Sequence, residues 1–260
     1  MPEQTYDYLI APKASFDATA DAVRALNGTN SAITWGQDGF ADAIGDERRY
    51  TADEFALGTA PTGDITLTGT SLHNYHFYNC KNITSVLAPN LTTMGTYCFY
   101  HCDGMRYARF ESLTELPTTS NQGNAFAYME TGRQAVLIFP ALTSLGTRNF
   151  QRGHIGVVDT GPNLTGAIGT DSFYTNSMAS YWPIVNTLIL RSSTMITAGS
   201  SDAINGLKDV YVPSALISDY EAATNWSTKV AHATYPVTFH AIENSQYDGY
   251  WADGTPISTT

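Results

Sequence analysis

The stretch PNLTTMGTYCFYHC, at residues 89–102, returns as PALTSLGTRNFQRG at residues 140–153 and as PNLTGAIGTDSFYT at residues 162–175. In each copy a Leu-Thr pair begins two residues after the proline. A Gly-Thr pair follows, and a phenylalanine stands four residues after its glycine. The phenylalanine recurs along the chain with steps of 22 to 27 residues, at Phe77, Phe99, Phe126, Phe150 and Phe173. A period of this length is typical of proteins that stack one small unit on the next.

A second apolar pattern, with the spacing L-x-x-L-x-L, accompanies the phenylalanines. Apolar side chains fill its three positions in four stretches: Ile83, Val86 and Ala88; Met105, Ala108 and Phe110; Val185, Leu188 and Leu190; and Leu207, Val210 and Val212. The fit is poorer around residues 134–139, where Gln134 takes the first position. It is bad at Gly156, Asp159 and Gly161, which leaves open whether that unit is distorted or has another register. The pattern predicts one short inward-facing strand per unit, paired in parallel with its neighbours.

The composition favours β-structure and excludes some partners. Charged residues make up 14% of the chain, and Thr, Ser, Asn and Gly are abundant, which suits strands and turns. The net charge of −11, without a Lys/Arg cluster, repels phosphate backbones and anionic membranes, so we expect no nucleic-acid partner. No apolar run is long enough to span a bilayer, and the first residues lack a signal-peptide pattern. We therefore expect no membrane insertion.

Three cysteines occur, and two of them are related by the repeat. Cys80 and Cys102 occupy equivalent positions 22 residues apart, and Cys98 is the third. An odd number without a C-x-x-C pair argues against a disulfide framework or a zinc ribbon. We expect buried thiols one repeat apart, with a bridge between Cys80 and Cys102 as the lesser alternative.

The sequence contains no recognisable catalytic set. A nucleophile elbow, a phosphate-binding Gly-Lys-Ser/Thr loop, an H-E-x-x-H pair and an Asp-rich calcium loop are all missing from the pattern of residues. We therefore expect no enzyme activity, no cofactor and no metal.

Residues 77–102, FYNCKNITSVLAPNLTTMGTYCFYHC, resemble the BspA-type (treponemal) leucine-rich repeat. Residues 207–230, LKDVYVPSALISDYEAATNWSTKV, are similar to the way such arrays end, with a last strand followed by a capping helix. The resemblance implies a mainly β fold with short helices, a leucine-rich-repeat solenoid of about six repeats over residues 61–213. Residues 214–260 would then form a helix-plus-strand cap and a polar tail with mobile last residues.

Residues 1–60 differ in character and predict a small helical N-terminal element. A helix starts near the N-cap Ser15 and stops at Gly28, and a short second helix covers residues 39–44. The element either caps the first repeat or attaches the chain to another protein. Its segment 20–44, ADAVRALNGTNSAITWGQDGFADAI, resembles a pattern in tail and other virion proteins of bacteriophages, and so does the ending at residues 240–257. This second resemblance implies a place in a virion that is released by lysis.

The tyrosines near the repeats are the candidate contact residues. The chain has 16 tyrosines, too many to be all in the core, and tyrosine with asparagine and serine is typical of recognition surfaces. An ordinary β-rich surface is the alternative explanation. The candidates for contact with a ligand or partner are Tyr75, Tyr78, Tyr97, Tyr100 and Tyr107.

These observations predict a non-enzymatic bacteriophage virion protein, tail or capsid associated, that presents a repeat surface for binding. The expected partners are other virion proteins and a host cell-surface glycan or protein, and we expect copies to form a homo-oligomer. The alternative is a secreted bacterial surface adhesin of the BspA type. A glycan-cleaving tail enzyme is a weaker third hypothesis.

Overall fold

A computed structural model describes residues 61–118, 125–129, 134–175 and 182–257. The predicted helical element of residues 1–60, with the segment that resembles virion proteins, lies outside these described residues. The last three residues, 258–260, lie outside them as well.

Two sheets are present in the described part of the chain. The strands are β1 (Gly63–Thr66), β2 (Ser71–Leu72), β3 (Ile83–Ala88), β4 (Thr93–Met94), β5 (Tyr107–Phe110), β6 (Ala135–Phe139), β7 (Ile155–Thr160), β8 (Val185–Leu190), β9 (Leu207–Val212) and β10 (Thr238–Ala241). Eight of them form one sheet in the order β1-β3-β5-β6-β7-β8-β9-β10, and β2 pairs with β4. All neighbours are parallel, so the chain makes a return between successive strands. This is the strand order that a repeat fold requires.

The L-x-x-L-x-L positions face the core, as the spacing predicts. In β3, for example, Ile83, Val86 and Ala88 are buried, whereas Leu87 between them is 43% exposed. Val86 pairs with Ala108 on β5, so equivalent positions of neighbouring units lie side by side. The four stretches that fit the pattern contribute twelve residues, and all are buried.

The unit that fits the pattern badly has another register, shifted by one residue from Gly156, Asp159 and Gly161. In β7 the inward positions are Ile155, Val158 and Thr160, which pair with Val185, Leu188 and Leu190 of β8. The pattern was misleading because a threonine holds the third apolar position. Its hydroxyl is satisfied there, since Thr160 Oγ1 donates to the carbonyl oxygen of Ile189 at 2.9 Å.

The first position of β6 is filled by Ala135, not by Gln134. Ala135 pairs with Ile155 and is buried, while Gln134 is exposed. The next pair is Val136 with Val157, so Gly156 is an extra residue in β7 that β6 lacks. The shorter strand explains why the six-residue spacing fails here although the core continues through it.

The repeated phenylalanines form one column in the core. Ring centroids of Phe77, Phe99, Phe126, Phe150 and Phe173 follow one another at 5.3, 5.4, 5.8 and 5.1 Å, with planes within 20° of parallel. All five side chains are fully buried. Each ring therefore packs on the ring of the next unit, which no unit could achieve alone.

The cysteines are buried thiols, as predicted. The described residues contain no disulfide, so the alternative bridge between Cys80 and Cys102 is not formed. Cys98 Sγ donates to the carbonyl oxygen of His73 at 2.8 Å, and Cys102 Sγ to that of Phe77 at 3.1 Å. Burial raises the pKa of the Cys98 thiol to about 12, so the group stays protonated.

Two short helices follow β9 and close the end of the core. They are α1 (Ile217–Ala222) and α2 (Trp226–Val230), and a short 3-10 turn precedes α1. Tyr220 and Trp226 are buried against each other, and both rings contact Phe239 of β10. Trp226 Nε1 donates to the carbonyl oxygen of Ile196, whose N–H donates to the Tyr220 hydroxyl. These bonds fasten the helices to the preceding repeat. Within the described ranges, no helix has the length and apolar character of a membrane span.

Candidate binding surface

The turns that hold the phenylalanine column also place tyrosines at the surface. Tyr75 and Tyr97 stand two residues before Phe77 and Phe99, and Tyr78 and Tyr100 stand one residue after them. Neighbouring turns are joined through their backbones, for example by Tyr75 N–H donating to the carbonyl oxygen of Thr96 at 2.8 Å. Equivalent tyrosines therefore stack directly above one another.

Six side chains make up this surface, which we call the tyrosine ladder: Tyr75, Tyr78, Tyr97, Tyr100, Tyr128 and Arg152. The rings of Tyr75 and Tyr97 are 4.9 Å apart and 5° from parallel. Those of Tyr78 and Tyr100 are 5.1 Å apart and 3° from parallel. The two rows contact each other edge to face, at 5.7 Å between Tyr75 and Tyr78.

Tyr128 and Arg152 extend the second row over two more repeats. The Tyr128 ring lies 5.0 Å from Tyr100, tilted by 40°. The guanidinium of Arg152 lies 5.3 Å from the centre of the Tyr128 ring, a cation–π distance, and its Nη1 donates to the Tyr128 hydroxyl at 2.9 Å. The row thus runs Tyr78, Tyr100, Tyr128, Arg152 without a break.

Ring stacking decides what the ladder can offer to a ligand. Tyr100 has a ring on each face, Tyr78 on one side and Tyr128 on the other, and Tyr128 lies between Tyr100 and Arg152. All these side chains are half-buried. The accessible parts of the central rings are therefore edges and hydroxyls, which suit hydrogen bonds and edge contacts better than stacking of a sugar on a ring face.

The hydroxyls of Tyr97 and Tyr100 stay neutral under ordinary conditions. Burial raises the pKa of Tyr100 to about 12, with Tyr128, Tyr78 and Tyr97 adding to the shift. Burial likewise raises the pKa of Tyr97, with smaller contributions from Tyr75 and Tyr78. These two phenols therefore present a donor and an acceptor to a partner near neutral pH.

The turns that carry the ladder include residues in the left-handed backbone region. Tyr75 and Tyr97 have φ of 61° and 59°, and Tyr128 has 57°, a region that glycine occupies without cost. The left-handed conformation costs an L-residue about 1–2 kcal/mol, whereas an aromatic pair contributes about 0.5–1.5 kcal/mol beyond its buried area. Stacking of the rings thus offsets the cost of a turn conformation that Asn79 and His101 adopt in the same repeats.

The structure brings together four of the five candidate tyrosines. Tyr107 is on β5, on the outer face of the large sheet, and its hydroxyl donates to Asp253 Oδ2 at 2.9 Å. Tyr128 and Arg152 join the ladder instead. Sequence spacing offered one signal for them: Tyr128 stands two residues after Phe126, as Arg152 does after Phe150.

The outer face of the sheet is the second surface of interest, and the end of the chain covers it. Residues 242–257, which we call the C-terminal strap, place Tyr247 and Trp251 there with little exposure. Ile189 of β8 faces outward, yet it is fully buried in a small cluster with Ile242 and Tyr247. The polar composition of this segment gave no sign that it packs on the sheet.

Metal binding and acid–base catalysis both depend on clustered polar side chains. In the part of the chain that the structure describes, no three His, Cys, Asp or Glu side chains form a group that could hold a metal ion. The pair of His240 Nε2 and Asp209 Oδ1, at 2.9 Å, lies beside Lys208 and stacks on Tyr211. These neighbours include no nucleophile positioned by the histidine.

Comparison with known proteins agrees with the repeats. Residues 61–180 match, in six copies, a family model described as the BspA type leucine rich repeat region. No curated protein and no solved structure matches the chain. The match covers the phenylalanine column and the tyrosine ladder and does not reach the segments that resemble virion proteins. Over residues 61–180 the chain is thus similar to BspA-type leucine-rich repeat regions, which suggests a repeat protein that acts through a binding surface.

Proposed function

We propose that the chain is a non-enzymatic recognition protein whose tyrosine ladder binds a protein partner. The observation that carries the proposal is the unbroken stack of Tyr78, Tyr100, Tyr128 and Arg152 at the surface of the repeats. Tyrosine and arginine are the residue types that dominate the energy of protein interfaces. The repeats of residues 61–213 serve as one solenoid that holds the ladder rigid.

A protein partner is favoured over a glycan by the ring geometry. Sugars bind aromatic side chains through exposed ring faces. In the ladder, neighbouring side chains lie on both sides of the Tyr100 ring and of the Tyr128 ring. Edges and hydroxyls in a row, with one guanidinium at the end, instead match a polypeptide surface that offers carbonyls, amides and aliphatic groups.

The setting that we propose is the outer surface of a bacterium or of a bacteriophage particle. The repeat match supports a surface adhesin of the BspA type, whereas the virion assignment rests on the resemblance of residues 20–44 and 240–257. Mass spectrometry of purified virions and of cell-surface fractions from the source culture distinguishes the two. Light scattering of the purified chain tests the proposed homo-oligomer, and a monomer at high concentration would reject it.

The binding proposal is tested with a double variant, Tyr78→Ser and Tyr100→Ser. It removes two rungs of the ladder and should weaken binding to the target surface at least tenfold, while Tyr250→Ser, an exposed tyrosine away from the ladder, should leave binding unchanged. Protease treatment of the target surface should abolish binding, and periodate oxidation of its glycans should not. The proposal would be rejected if the double variant bound the target surface as tightly as the Tyr250→Ser variant does. It would also be rejected if periodate abolished binding and protease did not.

A further inference from the structure

The outer face of the sheet recognises the main chain of the C-terminal strap. Arg191, just after β8, donates from Nη1 to the carbonyl oxygen of Tyr247 at 3.1 Å and from Nη2 to that of Tyr250 at 2.7 Å. Asp159 Oδ2 on β7 accepts from the N–H of Ala252 at 2.8 Å. Three backbone groups of the strap are thus bound by side chains of the sheet.

The two side chains that bind the strap backbone form a preorganised pair. Arg191 Nε donates to Asp159 Oδ1 at 2.8 Å, and Arg191 Nη2 donates to Asp159 Oδ2 at 2.9 Å. The Asp159 side chain is completely buried and that of Arg191 is 7% exposed. Such a two-point ion pair is rigid, so it presents fixed hydrogen-bonding groups to any segment that lies across it.

Two side chains of the strap are recognised specifically. The ring of Trp251 has the guanidinium of Arg191 at 5.1 Å from its centre and that of Arg109 at 5.4 Å. Two residues later, Asp253 Oδ2 accepts from Arg109 Nη1 at 3.1 Å and from the Tyr107 hydroxyl at 2.9 Å. Arg109 also pairs with Glu111, which holds its guanidinium in place.

We propose that this face of the sheet is a docking site for a peptide segment with a tryptophan followed two residues later by an aspartate. The strap residues 247–253 are its resident occupant, and a partner that presents the same pair of side chains takes their place. The backbone contacts to Asp159 and Arg191 hold a segment that turns as the strap does, and Arg109 with Tyr107 selects the acidic residue. This inference concerns a surface other than the tyrosine ladder and is independent of the proposed function.

The part of the strap that carries Trp251 and Asp253 is suited to exchange because its specific contacts are polar or cation–π, whereas Ile242 and Tyr247 anchor the first part in an apolar cluster. The burial of an ion pair costs desolvation energy that offsets much of the attraction, so covering Asp159 and Arg191 yields a modest net gain. The strap also keeps Tyr250 48% exposed, and Gly249 and Gly254 are exposed beside it. A tethered occupant competes at an effective concentration on the order of millimolar, so weakening the tether contacts should open the site.

The test uses the chain of residues 1–260 and a fluorescent peptide of residues 245–257. A variant with Trp251→Ala and Asp253→Asn loses both specific contacts of its own strap, and it should bind the peptide at least about tenfold more tightly than the wild type. A peptide with alanine in place of the tryptophan should bind neither. Absence of binding to a variant that still unfolds cooperatively would overturn the proposal.

A second substitution separates the docking site from general effects. Arg109→Gln in the released variant should weaken peptide binding at least about tenfold, because it removes a contact to the tryptophan and one to the aspartate. Lys208→Gln, an exposed residue on β9, is the matched control and should have no effect.

Hydrogen exchange on the wild type makes the proposal testable even where the released variant does not fold. The amides of Trp251 and Ala252 should exchange faster than those of β7, because an exchangeable strap opens while the sheet stays folded. Exchange of the strap only together with the sheet would contradict an exchangeable occupant.

Discussion

At the scale of single residues, Gly161 is the position where two neighbouring repeats touch through their backbones. Its N–H donates to the carbonyl oxygen of Phe139 at 2.9 Å, and a β-carbon on it would lie 1.7 Å from the carbonyl oxygen of Pro140. That oxygen belongs to the backbone of the preceding unit, so it cannot move without shifting β6 against β7. The close approach of repeats thus depends on the absence of one side chain.

Gly161→Ala is therefore expected to lower the free energy of unfolding by about 2 kcal/mol or more. Gly166→Ala is the matched control, because its β-carbon would meet only ordinary contacts, the nearest at 3.4 Å. Urea unfolding of both variants measures the difference. Equal stability of the two would show that the repeats are not in this close register.

At the scale of an element, the phenylalanine column holds consecutive units together. Phe126 contacts the column neighbours Phe99 and Phe150 and also Phe110 and Phe139 of the adjacent strands. Removing this ring leaves a cavity between units that the stacked backbone cannot close.

Phe126→Ala should destabilise the chain by about 3–5 kcal/mol, as expected for a fully buried aromatic side chain. Leu87→Ala, at a position that is 43% exposed, should cost far less. Thermal or chemical unfolding compares the two variants with the wild type. A small effect at Phe126 would mean that the column does not carry the contact between repeats.

The tyrosine ladder is an element with a pH signature. Because folding raises the pKa of Tyr100 from 10.0 to about 12, folding favours the protonated phenol. The stabilisation is complete below pH 10 and is lost as the pH rises through 12. Tyr100→Phe should make the decline of unfolding free energy over this interval shallower, which unfolding at a series of pH values measures. A Tyr100→Phe variant as sensitive to alkali as the wild type would contradict a stacked, half-buried ring at this position.

At the scale of the whole molecule, contacts within one repeat period could be predicted from the sequence and contacts between distant segments could not. The spacing of Phe77 and Phe99 predicts the column because the two residues occupy equivalent positions one unit apart. Thr160 misled the register because a hydroxyl that bonds a neighbouring carbonyl can replace an apolar side chain.

The C-terminal strap shows more clearly which contacts the sequence pattern could not predict. Arg109 and Asp253 are 144 residues apart, and no periodicity links them. The ladder lies between these cases: the pattern placed Tyr78 and Tyr100 together, but Arg152 enters only because its repeat puts a cation where the preceding repeats have Asn79, His101 and Tyr128. Tyr107 is close to these tyrosines in the sequence. The alternation of side chains along β5 nevertheless places it on the outer face of the large sheet.

The central claim is that one column of phenylalanines aligns the repeats and thereby aligns the tyrosines outside them. A crystal structure of the chain tests it most directly. The account predicts five phenylalanine rings in succession, with neighbouring ring centroids 5.1 to 5.8 Å apart, and Tyr78, Tyr100 and Tyr128 in a row alongside this column. Phenylalanines scattered through the core, or these tyrosines on different faces, would contradict it.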